Sequence, residues 1–148
     1  MTEASRNLKV DIDILLANQK AEIVSTEGKE FFLFRGKPLL FKHEGKVYPT
    51  LMFEEYIKQM PKVVVDMGAV PHVCKGADTM APGVRRYEGE FDKGDPVAIV
   101  DETHHKPVAL GEALHTSHDA ASLKQGAVVK NIHYVGDKTW ELLKRIKT

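Results

Sequence analysis

Between Gly76 and Val84 the chain reads GADTMAPGV, with Lys75 entering the segment and Arg85-Arg86 leaving it. Glycine permits close backbone approach and positive φ, whereas proline fixes φ and removes a donor. Gly76, Ala77 and Gly83 therefore offer main-chain N–H groups unscreened by side chains. Met80 and Pro82 supply an apolar floor, and the flanking cations suit phosphate. Pro82-Gly83 fits a type II turn with glycine at the positive-φ position. A bare Gly/Pro segment also serves as a plain turn between strands. A second candidate is VVKNIHYV, residues 128–135. Strand alternation there places Lys130, Ile132 and Tyr134 on one face and Asn131, His133 and Val135 on the other. A cation with an aromatic or imidazole group can hold single-stranded RNA by phosphate contact and stacking. Lys130, His133 and Tyr134 thus join the loop residues as candidate RNA ligands, although Tyr134 equally suits a barrel core or rim.

Other chemistries find less support. Seven histidines and Cys74 allow pairs such as His72-x-Cys74, His104-His105 and His115-x-x-His118. None has the CxxC or HExxH pattern of a zinc centre, so no metal site is expected. Cys74 and His72 stand two residues apart, a spacing that does not juxtapose them on a helix. A small buried hydrophobe is the simpler role for that thiol. No GxxxxGK[ST] or GxGxxG motif cradles a phosphate. No catalytic residue and no cofactor are therefore assigned. Trp140 reads as a packing anchor.

These residues need elements to position them. Leu8, Ile12, Leu15 and Leu16 have helical spacing over 8–18. From Ala21 the period changes: AEIVST, EFFLFR, PLLFK and KVYPTL are separated by glycine-bearing turns, which predicts an antiparallel meander. MFEEYIKQM is a helix stopped by Pro61, and the domain boundary falls there, giving units 1–60 and 61–148. The second unit has a strand at 63–66, a helical turn with Val70, Val73 and Cys74, then the loop and VRRY. PVAIVDET and PVALGEAL form a hairpin with His104-His105-Lys106 at its tip. Ser117 is placed as the cap of a helix ending at Gly126, and Asp137 as the cap of a closing helix. Many short strands with few helices predict a small barrel, in an α+β chain overall.

With 148 residues, 43% hydrophobic and 28% charged, the composition is that of one ordinary domain or two small ones. No apolar run approaches the roughly 20 residues that span a bilayer, and the N-terminus lacks a signal-like apolar stretch. A single cysteine fits a cytoplasmic setting. Net charge is zero, which argues against strong general binding of nucleic acid. The charge is segregated all the same: residues 88–102 carry a net −5 and residues 124–147 a net +4.

VVVDMGAVPHVCKGADTMAPGV, FDKGDPVAIV, VALGEAL and NIHYVGDKTW, in that order, resemble a PUA domain, the small β-barrel of pseudouridine synthases and archaeosine transglycosylases. FFLFR and VYPTL look like the N-terminal domain of the malignant T-cell-amplified-sequence family and its archaeal relatives. The resemblance covers nearly the whole chain. It departs where Gly126 is followed by Ala127 and Val128, since the family often has two closely spaced glycines before the last strand. It implies an N-terminal small α/β domain followed by a PUA β-barrel. It also implies RNA binding, tRNA or rRNA, in the groove between the glycine loop and the last strand. Further implications are a role at the small ribosomal subunit in placing or releasing tRNA, and partnership with a density-regulated-protein-like initiation factor. A specificity subunit of a tRNA- or rRNA-modifying enzyme is the second reading. A small hydrolase or ligand-binding barrel of PUA-like fold is the third.

Overall fold

The computed structural model describes residues 20–146. The helix expected over 8–18 lies outside the described residues. The meander is β1 (Glu22–Thr26), β2 (Lys29–Phe34), β3 (Lys37–His43) and β4 (Lys46–Pro49), antiparallel neighbours in that order. Each connection is two residues long: Glu27-Gly28, Arg35-Gly36 and Glu44-Gly45, all six with positive φ. That conformation matches the right-handed twist of the flanking strands. Helix α1 (Glu54–Gln59) follows, buries Tyr56 and Ile57, and ends at Met60 before Pro61.

The second block runs β5 (Lys62–Val65), α2 (Val70–Val73), β6 (Thr79–Met80), a 3-10 turn (Ala81–Gly83), β7 (Val84–Glu88), β8 (Pro96–Asp101), β9 (Pro107–Ala113), α3 (Ser117–Ser122), β10 (Ala127–Tyr134) and α4 (Lys138–Ile146). The strand order is β6-β10-β9-β8-β5-β7, with β5 and β8 parallel and every other pair antiparallel. Strands β6 and β7 are the two edges of this sheet, yet only the 3-10 turn separates them in sequence. The sheet must therefore curl until its edges meet, which leaves little edge exposed. The architecture is α+β: a meander followed by a curled mixed sheet. No described helix is long and apolar enough to cross a membrane.

Two apolar clusters result. One fills the curled sheet with Val63, Val65, Val97, Ile99, Ala109 and Val129. The other packs Phe31, Leu40, Phe41 and Tyr56 of the first block against Ala98, Leu110, Leu142 and Leu143 of the second. Fully burying a leucine contributes about 1.5–3 kcal/mol, so α4 is a substantial bond between the blocks. At the surface Glu27 adds ion pairs to Lys138 at 2.9 Å and Arg145 at 3.2 Å.

The cap of α3 differs from the sequence expectation. The Thr116 hydroxyl, not that of Ser117, accepts the Asp119 N–H at 3.1 Å. Thr116 has the extended backbone that a capping residue needs, whereas Ser117 is already helical and its hydroxyl accepts from Phe91 N–H. The helix ends at Ser122 rather than running to Gly126, because Leu123 is extended. Asp137 does cap α4: its carboxylate accepts the Trp140 N–H at 2.6 Å and the Tyr134 N–H at 2.9 Å.

Candidate nucleic-acid interface

Three features hold the loop that follows α2. Gly76 N–H and Ala77 N–H return to Val73 O and His72 O. Met80 and Thr79 pair with Ala127 and Val129 of β10. Across a gap of 53 residues in sequence, Asn131 N–H donates to the Asp78 carboxylate at 2.8 Å. The Asn131 side-chain amide then donates to Val73 O and Ala77 O, each at 3.0 Å. The loop is thereby stapled to the middle of β10 with its own surface left open. Lys75, Gly76, Ala77, Met80 and Pro82 are all exposed. Neither Asp78 nor Asn131 stood out in the sequence, although asparagine inside an otherwise strand-forming run is a depleted type and could have drawn attention.

Glycine has two distinct uses here. Gly76 has φ +96°, and a Cβ placed on it would come within 3.3 Å of the Tyr134 ring. Gly83 is not the positive-φ residue of a type II turn. It lies in the 3-10 turn, where a Cβ would meet that of Ala69 at 3.1 Å. Close packing, together with the Asp66 N–H bond to Gly83 O at 2.9 Å, explains that glycine.

The alternation expected along β10 fails at one point. Asn131 pairs with Gly111 and His133 with Leu110, so Ile132 is an extra residue and the strand bulges. Asn131 and Tyr134 consequently both face the loop. Ile132 and His133 both reach the other cluster, where His133 meets the Phe41 ring edge-on at 5.4 Å. His133 is fully buried. Its Nε2 accepts the Leu51 N–H at 3.4 Å, so the ring proton sits on Nδ1 and is donated to the Asp137 carboxylate at 3.0 Å. The imidazole expected to contact RNA is instead a latch joining the two blocks. Burial opposes the charge on Asp137, but the His133 contact and two backbone donors prevail and hold its carboxyl below the usual range.

The expected cations divide into separate groups. Lys75 stands exposed at the loop entrance. Lys130 is exposed on β10, 3.7 Å from Glu44 of the β3–β4 turn. Arg85 and Arg86 lie on β7, paired with Glu102 at 3.4 Å and Glu88 at 3.0 Å. Residues Ala81, Val84, Arg85, Arg86, Tyr87, Ala120, Ala121 and Leu123 enclose a cleft of about 350 Å³ between β7 and α3. The arginines thus belong to this cleft rather than to the Tyr134 side of the loop. Burial pushes the Cys74 thiol up, in keeping with a packing role. No three metal-ligating side chains converge among the described residues.

A PUA-domain family model matches residues 61–135, and a model described as a domain of unknown function, DUF1947, matches residues 5–58. An uncharacterized protein of Methanocaldococcus jannaschii is 38% identical over 86% of this chain and 80% of its own. Malignant T-cell-amplified sequence 1 of Danio rerio is 29% identical over 90% and 72%. Translation machinery-associated protein 20 of Schizosaccharomyces pombe is 26% identical over 97% and 83%. Among solved structures, a hypothetical protein of Pyrococcus horikoshii superposes with a TM-score of 0.80 at 30% identity, covering 95% of this chain and 90% of that one. A chain of an H/ACA ribonucleoprotein bound to a substrate RNA gives 0.53 at 28% identity, covering 67% and 31%. The matches span both the meander and the curled sheet: the chain belongs to the PUA-domain proteins of the malignant T-cell-amplified-sequence family, in its archaeal type.

Proposed function

We propose that this protein is a non-enzymatic RNA-binding protein acting in translation. It holds single-stranded RNA in the groove between the Gly76–Gly83 loop and β10. The observation that carries this reading is the exposed Gly76-Ala77 backbone, held by Asn131 and Asp78 beside Tyr134. The Gly76 and Ala77 N–H groups are engaged within the loop, so this surface offers a nucleotide close approach to the backbone and an aromatic edge, with Lys75 at the loop entrance for phosphate. His133 has no part in it. Membership of the PUA group and relatives named for the translation machinery support the same direction. In this reading the protein works in the cytoplasm on the small ribosomal subunit and helps to place or release tRNA. The meander is its docking surface for the ribosome or for a density-regulated-protein-like factor, and residues 1–60 and 61–148 are its two functional units.

Residues 61–148 hold 12 Lys+Arg and 12 Asp+Glu, so no broad basic field assists binding. Neutralising about three phosphates gives a slope of log K against log salt near −2 for a single strand. Sedimentation of the full chain with purified small subunits, followed by salt titration of oligonucleotide binding, tests this. Co-sedimentation with a shallow slope is the expected result. Failure to bind either subunits or RNA rejects the proposal. The likeness to a chain of an RNA-bound H/ACA assembly supports the second reading, an RNA-specificity subunit of a modifying enzyme. Co-purification with such an enzyme, rather than with ribosomal subunits, would select it.

A further inference from the structure

Of the large hydrophobic side chains described, four are exposed: Ile23, Met67, Met80 and Leu123. Met80 and Leu123 flank the same feature, the 3-10 turn that begins at Ala81, and neither is accounted for by packing. Met80 ends β6 at the crest of the loop. Leu123 stands on the far side of that turn, where it walls the cleft of about 350 Å³ between β7 and α3. The remaining walls are Ala81, Val84, Ala120 and Ala121, with Tyr87 half-buried against the Phe91 ring. Arg85 and Arg86 are more than half exposed. The cleft therefore sets these apolar side chains beside two guanidinium groups, and Ala81 joins it in the chain to the loop that faces Tyr134 on its other side.

Both arginines are paired with carboxylates, but the pairs are exposed. Exposed ion pairs contribute little, whereas a guanidinium binds a phosphate in two-pronged fashion. A phosphate arriving at Arg86 or Arg85 can draw it from Glu88 or Glu102 at small cost. A flat apolar ring entering the cleft would cover Leu123 and the Tyr87 edge, which water now meets.

Resting on the function proposed above, we infer that the cleft between β7 and α3 is a second nucleotide subsite. One RNA strand crosses the crest at Met80 and Pro82, with a base in the cleft and its phosphate on Arg85 or Arg86. The ligand class is then a single strand long enough to pass over the loop, not a lone nucleotide or a duplex end.

The test uses the full chain and fluorescent oligouridylates of about three and about nine nucleotides, lengths on the scale of a small single-strand site. Ala121→Glu puts a like charge to phosphate at the cleft wall, on an exposed helical position that tolerates glutamate. It should weaken the longer oligomer about fivefold to tenfold and the shorter one less than about twofold, with an unchanged melting temperature. Arg86→Ala should weaken the longer oligomer in the same way. Lys75→Ala should weaken both lengths. If Lys75→Ala weakens both but Ala121→Glu and Arg86→Ala bind the longer oligomer like the parent, the second subsite is wrong and the first stands. If none of the three variants changes binding, the loop reading fails and takes this inference with it. If the cleft variants lose ribosomal subunits or a protein partner while keeping oligonucleotides, the cleft is a protein contact and the inference is overturned.

Discussion

In the meander turns Gly28, Gly36 and Gly45 have φ near +80°, and a Cβ on any of them would meet nothing within 4 Å. In the candidate interface the situation is reversed at Gly83, whose φ is ordinary but whose missing side chain lets the 3-10 turn rest on Ala69. Gly76 combines both demands, with positive φ and the Tyr134 ring close by. Gly111 on β9 is the extreme case. A Cβ there would overlap Val129 Cγ1 and stand 2.6 Å from Lys130 O. Strand β10 can bulge because its partner strand offers no side chain at that point. The meander turns therefore use glycine for conformation alone, whereas Gly76, Gly83 and Gly111 also serve contact. That difference decides which substitutions will be felt in binding and which only in stability.

The largest effect should come from Gly111→Ala, which forces backbone as well as side chain to move. We expect a loss of about 3 kcal/mol or more, or failure to fold, read by denaturant titration. A loss under about 1 kcal/mol would mean that the bulge relaxes freely. Gly76→Ala should cost about 1–2 kcal/mol for its backbone strain and also displace Tyr134. Chemical shifts around Tyr134 should move, while those of the meander turns stay fixed.

The Asp137 latch gives a pH dependence whose sign follows from its depressed carboxyl. Its stabilisation is full above the ordinary aspartate pKa of about 4 and is lost as pH falls through the lower folded value. Asp137→Asn keeps a good capping residue but loses the charged partner of His133. We expect it to cost about 1 kcal/mol near neutral pH and to flatten the acid limb of the stability profile. A parallel shift of the whole profile would show that the carboxyl carries no acid sensitivity. At the small end, Arg35→Asn places a better residue at the first positive-φ position of its turn. It should stabilise the protein by about 0.5 kcal/mol and leave ligand binding as it was, measured by melting and by RNA titration.

The same contrast explains what the sequence disclosed. Three Glu-Gly or Arg-Gly turns between short β-rich runs are local signals, so the meander could be read directly. Pro61 and Asp137 likewise mark helix ends by local chemistry. The bulge at Ile132 depends on Gly111 across the sheet, and nothing in VVKNIHYV reveals it. This is why the sequence points His133 towards RNA although it lies buried against Phe41. Arg85 and Arg86 follow the loop in sequence, but the curl of the sheet carries them towards α3. The Asn131–Asp78 staple spans 53 residues and has no local signature beyond an asparagine in a strand.

The central claim is that the Gly76–Gly83 loop is a binding surface and not merely a turn. Lys75 tests it most directly, because its side chain is exposed at the loop entrance and removing it disturbs no packing. Lys75→Ala, compared with Lys93→Ala in the acidic segment, should leave the melting temperature unchanged. It should weaken binding of single-stranded RNA by about 0.5–1.5 kcal/mol, similarly for every sequence, while the Lys93 variant binds like the parent. Equal affinity of the Lys75 variant and the parent for RNA and for small ribosomal subunits would contradict the account.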